Sequence, residues 1–155
     1  DHVTASGSLA DRLGSKVVLG ERSGVGYAAV LVKDGDRVPF GRRWIEVRET
    51  PGHTDGCLTF VTDDHAMAFT GDALLIRGSG RTDFQQGSSR ALYASVHEKI
   101  FTLSDATLIY PCYDYKGRTC STVGEEKQHN PWLGNNRTLE QFVEIMAGLE
   151  LALPK

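Results

Sequence analysis

Two residues of this chain have the type and placement to hold a metal ion. His53 lies in the string Thr50-Pro51-Gly52-His53-Thr54, and Asp72 follows nineteen positions later in Thr70-Gly71-Asp72. Imidazole nitrogen and carboxylate oxygen both bind divalent first-row metals, and each residue stands just past a short apolar run, where a strand would end and a loop begin. Taken singly, a histidine in such a turn is more often a loop hydrogen-bonder, and an aspartate after glycine more often a turn cap. As a pair at two strand ends they read as metal ligands. Two protein donors are short of a full set, so a third is expected from upstream of the opening Asp1-His2. His65 in a turn, His97 on a helix and His129 before Asn130-Pro131 have no partner motif, and structural or solvent roles are expected for them.

The elements that must position this pair are legible in the apolar pattern. Thr4 to Leu13 reads as a short helix, Lys16 to Leu19 as a buried strand, Glu21 to Gly26 as a glycine-punctuated loop and Asp34-Gly35 as a turn. In Trp44 to Arg48, apolar Ile45 and Val47 alternate with charged Glu46 and Arg48, the period-two pattern of a half-buried strand that runs into the His53 loop. Cys57 to Thr62 and Ala66 to Thr70 form a hairpin turned by Asp63-Asp64-His65, whose second strand delivers Asp72. Ser88 or Ser89 caps a helix carrying Leu92, Val96, Ile100 and Leu103. Thr138 and Gln141 form a capping box before a helix with Leu139, Phe142, Val143, Met146 and Leu149 on one stripe. Thr107 to Pro111 reads as a buried strand opening onto the polar segment Cys112 to Arg118, a third site loop. The fold class is α/β or α+β, in a single domain over residues 1–155.

Composition excludes several classes of function. The 155 residues are 40% hydrophobic and 24% charged, enough for one sizeable core. A net charge of −3 argues against a surface for nucleic acid. The apolar runs are too short for a membrane span. Cys57, Cys112 and Cys120 are odd in number and form no C-x-x-C pair, which fits a reducing, intracellular setting better than a disulfide framework or a thiolate zinc knuckle. Cys57 and Cys112 read as packed residues or incidental oxidation targets.

Asp1-His2 through Gly7 resembles the end of the H-x-H-x-D-H motif of metallo-β-lactamase-fold proteins, and Pro51-Gly52-His53-Thr54 and Thr70-Gly71-Asp72 resemble its next two motifs. Phe69 to Gly87, His97 to Phe101 and Tyr110-Pro111 are more specific, and resemble the persulfide dioxygenases related to the ethylmalonic encephalopathy protein. The resemblance implies an αββα sandwich, N-terminally incomplete here. It further implies a mononuclear Fe(II) enzyme that oxidises glutathione persulfide with O2 to sulfite and glutathione, in the bacterial cytoplasm or the mitochondrial matrix.

Carried over by position, His53 and Asp72 are iron ligands, and the third is the motif's first histidine, which would precede residue 1. Asp1, His2, Tyr113 and Asp114 are expected to hydrogen-bond around the metal, and Tyr115 to contact substrate or iron-bound water. Glutathione carries two carboxylates, which makes Arg77, Arg81, Lys116 and Arg118 candidate substrate contacts. The plain alternative for these cations is internal pairing, for example Arg81 with Asp83. Tyr113 departs from the family, which usually has histidine in that place. A phenol is a poor metal ligand near neutral pH, so the change weakens the chief alternative, a zinc-dependent glyoxalase II-like hydrolase working between two metals. A third reading is a non-catalytic fragment with an incomplete site. Without its N-terminal strands, the sheet would expose an edge and apolar surface, so association with a second copy or with the missing segment is expected.

Overall fold

A computed structural model describes residues 4–26 and 30–151. Helix α1 (Ser6–Leu13) is followed by β1 (Val18–Gly20), which pairs in parallel with β2 (Val30–Val32). Strands β3 (Arg37–Phe40), β4 (Arg43–Glu49), β5 (Leu58–Thr62) and β6 (Met67–Gly71) then run antiparallel to one another. Helix α2 (Ser89–Ser95) leads to β7 (Leu108–Pro111), which joins β6 in parallel, the crossover arrangement that needs an intervening helix. Strand β8 (Ser121–Thr122) closes the sheet, and α3 (Val123–His129) and α4 (Leu139–Ala147) complete the chain order. The larger sheet has the order β3-β4-β5-β6-β7-β8.

Register assigns the two faces of that sheet. Val61, Ala68 and Ile109 pair across three strands, share one face, and are fully buried under Leu92, Val96 and Ile100 from the α2 region and Phe142 from α4. Val47, Phe60, Phe69 and Tyr110 pair across four strands and share the opposite face, where Phe69 is 40% exposed and stacks on Tyr110 at 5.6 Å. Mixed layers of helix and sheet match the α/β expectation.

The observed elements differ from the sequence pattern in physical detail. The α2 region is not one α-helix: it widens into a π-helical turn over Val96–Ile100, closed by the Phe101 amide on the Val96 carbonyl at 2.8 Å. Along this turn the Tyr93 and His97 rings stack, with centroids 4.0 Å apart, and His97 meets Phe101 edge-on at 5.1 Å. Strand β3 carries Pro39, which an edge strand tolerates because one side has no ladder to feed. The Thr138 capping box is present, with Thr138 Oγ1 accepting from the Gln141 amide at 3.3 Å and Gln141 Oε1 accepting from the Thr138 amide at 3.0 Å.

Candidate metal centre

His53 is delivered by the loop between β4 and β5, and that loop is fastened on both sides. Thr50 is fully buried, its hydroxyl 3.0 Å from that of Thr59. Gly52 has φ +135 and sits so close to α2 that a Cβ would fall 2.3 Å from the Leu92 amide nitrogen. The Ser88 amide donates to the Gly52 carbonyl at 2.8 Å, and the Ser95 hydroxyl donates to the Pro51 carbonyl at 2.7 Å. His53 itself is 7% exposed, with Nδ1 2.8 Å from the Arg81 carbonyl oxygen. A carbonyl only accepts, so Nδ1 carries the proton and Nε2 keeps a lone pair for a metal, the usual arrangement of a ligating histidine.

Asp72 follows β6 through Gly71, whose φ of +54 turns the chain. Buried Thr70 fixes the corner, its hydroxyl donating to the Leu74 carbonyl at 2.6 Å and its own carbonyl accepting from the Ala73 amide at 3.0 Å. The Cys112 thiol and the Tyr113 phenol both feel the charge of the nearby Asp72 carboxylate. Burial, reinforced by that carboxylate, pushes the Cys112 thiol up to about 12, although the residue as a whole is exposed. Burial raises Tyr113 above the ordinary phenol range, with hydrogen bonds to Tyr115 and Asp72 adding to the shift. Both groups keep their protons near neutral pH. All three cysteines are free.

Gly80 brings the two candidate ligands together. Its amide donates to the Asp72 carbonyl at 2.7 Å, and a Cβ there would lie 2.7 Å from that oxygen and 2.9 Å from both Cγ and Nδ1 of His53. The Oδ1 atom of Asp72 is buried without a hydrogen-bond partner among the described residues. An orphaned buried acceptor costs about 1–3 kcal/mol, more when charged. A cation beside it would remove that cost, so the donor pair fits a divalent metal. Among the described residues no third His, Cys, Asp or Glu completes a cluster. Asp1 and His2 lie outside the described residues.

The third loop walls a cavity of about 260 Å³ with Tyr113, Tyr115, Trp132 and Leu75 among its lining. Tyr115 is 84% exposed and meets Tyr113 edge-on at 5.1 Å. Asp114 staples its own loop, accepting from the amides of Lys116 at 2.9 Å and Arg118 at 2.7 Å and pairing with the Arg118 guanidinium at 3.0 Å. These contacts, the Arg118 amide foremost, hold its carboxyl below the usual range. Arg118 also donates to the Ile76 carbonyl at 2.8 Å. Arg81 grips Asp83 with two bonds of 2.7 Å, the internal pairing named above as the alternative. Arg77 is paired with buried Glu126 and, at 3.2 Å, with Glu125. Lys116 is exposed at the cavity.

Sequence reasoning missed Gly80, the Arg81 carbonyl and Glu126. The first two act through main-chain geometry, which residue type does not announce. For Glu126 a signal existed: Thr122 and Glu125 have the spacing of an N-terminal helix cap, and the Thr122 hydroxyl does accept from the Glu125 amide at 3.1 Å.

Helices backing a mixed sheet, with His53 and Asp72 on strand-end loops, are the features by which the class is recognised. The sequence profile of the metallo-beta-lactamase superfamily matches residues 1–112, and the chain belongs to that superfamily and has its fold. Its particular relatives are persulfide dioxygenases. The mitochondrial persulfide dioxygenase ETHE1 of Homo sapiens is 55% identical over 156 residues, covering 100% of this chain and 60% of that protein. Among solved structures, ETHE1 from Myxococcus xanthus superposes with a TM-score of 0.93 at 47% identity, covering 99% of this chain and 67% of that one. TTHA1623, solved in a di-iron-bound form, is 26% identical with a TM-score of 0.73, covering 86% of this chain and 72% of that one. The chain thus spans 60% of the length of its mammalian relatives.

Proposed function

We propose that this chain is the larger part of an Fe(II)-dependent persulfide dioxygenase that oxidises glutathione persulfide. The reaction is GSSH + O2 + H2O giving GSH and sulfurous acid, so the outer sulfur loses four electrons and O2 gains them. The observation that carries this reading is the buried Asp72 Oδ1, which has no hydrogen-bond partner among the described residues, together with a His53 whose Nδ1 is already engaged. The 55% identity to the human persulfide dioxygenase supports iron and persulfide over other chemistries of the fold. His53 and Asp72 would hold the ion, with one further histidine from the rest of the protein.

Ferrous iron in a set of two imidazoles and one carboxylate leaves coordination positions open and supplies the one-electron redox chemistry that dioxygen requires. The chain's own residues do the rest. The Arg81 carbonyl holds the His53 ring in one tautomer, and Asp72 contributes the negative charge. Tyr113 and Cys112 stay protonated beside Asp72, so neither adds a second negative charge to the site. The cavity lined by Tyr113, Tyr115 and Trp132 would take part of the substrate beyond the reacting sulfur. We assign Lys116, with Arg118 behind it, to a substrate carboxylate. Arg77 and Arg81 already have acidic partners, so a contact from either would be shared.

Tyr113 supports this reading against a two-metal hydrolase. A protonated phenol near Asp72 takes the place where the hydrolase would use a second-metal histidine. The human relative's name places that protein in mitochondria, and the same reducing compartment is proposed here. No helix among the described residues is long and apolar enough to cross a membrane. An oxygen electrode with full-length, iron-loaded protein and glutathione persulfide tests the proposal: iron-dependent uptake with sulfite formed is expected. Absence of uptake, or release of glutathione from S-lactoylglutathione with zinc bound, would overturn it.

A further inference from the structure

We propose that Glu126 is a positioning residue for the metal centre, acting through the turn at Arg77–Gly78 and the Arg81 carbonyl to set the His53 ring. Glu126 lies on α3, and its side chain is fully buried. Its Oε2 accepts from the Arg77 amide at 2.8 Å and from Asn130 Nδ2 at 3.0 Å. Its Oε1 accepts from the Ser121 hydroxyl at 2.7 Å and from the Arg77 guanidinium. Burying a charge is a poor way to gain stability when an apolar side chain could fill the space, so what the charge holds deserves the emphasis.

It anchors a strained main-chain turn from the helix side. Arg77 has φ +62, an unfavourable value for a residue with a Cβ. Leu75 and Gly78 bond each other across the turn at 3.1 Å and 3.4 Å, and Asn130 Nδ2 donates to the Gly78 carbonyl at 3.1 Å. Buried Ser79 and Gly80 follow at once, then Arg81. Within this short, packed stretch the Gly80 amide bonds the Asp72 carbonyl and the Arg81 carbonyl accepts from His53 Nδ1. A shift at the Glu126 anchor is therefore transmitted to the atom that decides which imidazole nitrogen carries the proton.

The test compares Glu126→Gln with wild type by nitrogen NMR of the histidine rings in the metal-free chain, together with zinc affinity by competition with a chelator. Only the affinity arm rests on the metal reading above. Wild type is expected to show His53 as a single tautomer protonated at Nδ1; the variant is expected to mix in the other tautomer and bind zinc about tenfold more weakly. Arg77→Gly is the second variant, since glycine suits φ +62 while the guanidinium is lost; if Glu126→Gln does not fold, this variant decides on the same two readings. An unchanged His53 tautomer in the folded variants overturns the proposal even if their melting temperature falls, because Glu126 would then serve packing alone. A wild-type chain that binds no zinc would count against the metal reading, while the ring measurement would still judge Glu126.

Discussion

Replacing Gly80 with alanine tests how tightly the His53 and Asp72 loops are locked together. The added methyl would sit 2.7 Å from the Asp72 carbonyl oxygen and 2.9 Å from Cγ and Nδ1 of His53. Those contacts are about 0.6–0.8 Å inside the optimum of ~3.5 Å for non-bonded atoms. Neither neighbour is a flexible side-chain end: one is main chain and the other a ring already bonded to Arg81. Overpacking of this kind costs about 1–3 kcal/mol, which in a chain of this size lowers Tm by roughly 2–10 °C. A displacement of about 0.5 Å is also the tolerance of a metal site, so metal affinity should fall about tenfold or more. Thermal unfolding followed by circular dichroism and chelator-competition titration read the two effects. Gly80→Ala with wild-type Tm and wild-type affinity would refute the wedge described here.

Other outcomes follow from the same geometry. Tyr113→His replaces a protonated phenol with a metal-binding group beside Asp72, and metal analysis of the full-length protein should then find more zinc per chain than in wild type. Burial lowers the His97 pKa below its ordinary 6.5. The unfolded chain therefore binds more protons below that pH, and stability should fall as pH drops from 6.5 toward the folded-state value, a loss that melting curves should show to be smaller in His97→Phe. Phe142→Ala empties a fully buried core position under the sheet and should cost about 3–5 kcal/mol in denaturant unfolding.

What could be read from the amino acids alone was whatever local pattern controls. The strand around Ile45 and Val47, the Asp63-Asp64-His65 turn, with φ +56 at His65, and the Thr138 capping box all reappear in the structure because each is set by neighbours a few residues away. The placement of His53 and Asp72 just past strand ends was legible for the same reason, and the structure puts both on such loops. Arg77 shows where such reading stops: its buried partner Glu126 lies 49 residues along, and only the fold brings them into contact. Arg81 is a second case. Its side chain suggested substrate binding, whereas its carbonyl oxygen is what meets His53, and a main-chain role leaves no mark on residue type. The π-helical turn at Val96–Ile100 interrupts an otherwise good helical stripe, and residue type along the stripe gives no sign of it.

The central claim is that His53 and Asp72 bind one and the same ion. Anomalous diffraction at the iron edge from crystals of the full-length, iron-loaded protein measures this directly. A single strong peak is expected, bonded to both His53 Nε2 and an Asp72 carboxylate oxygen. A peak elsewhere, or one touching only one of the two side chains, would contradict it.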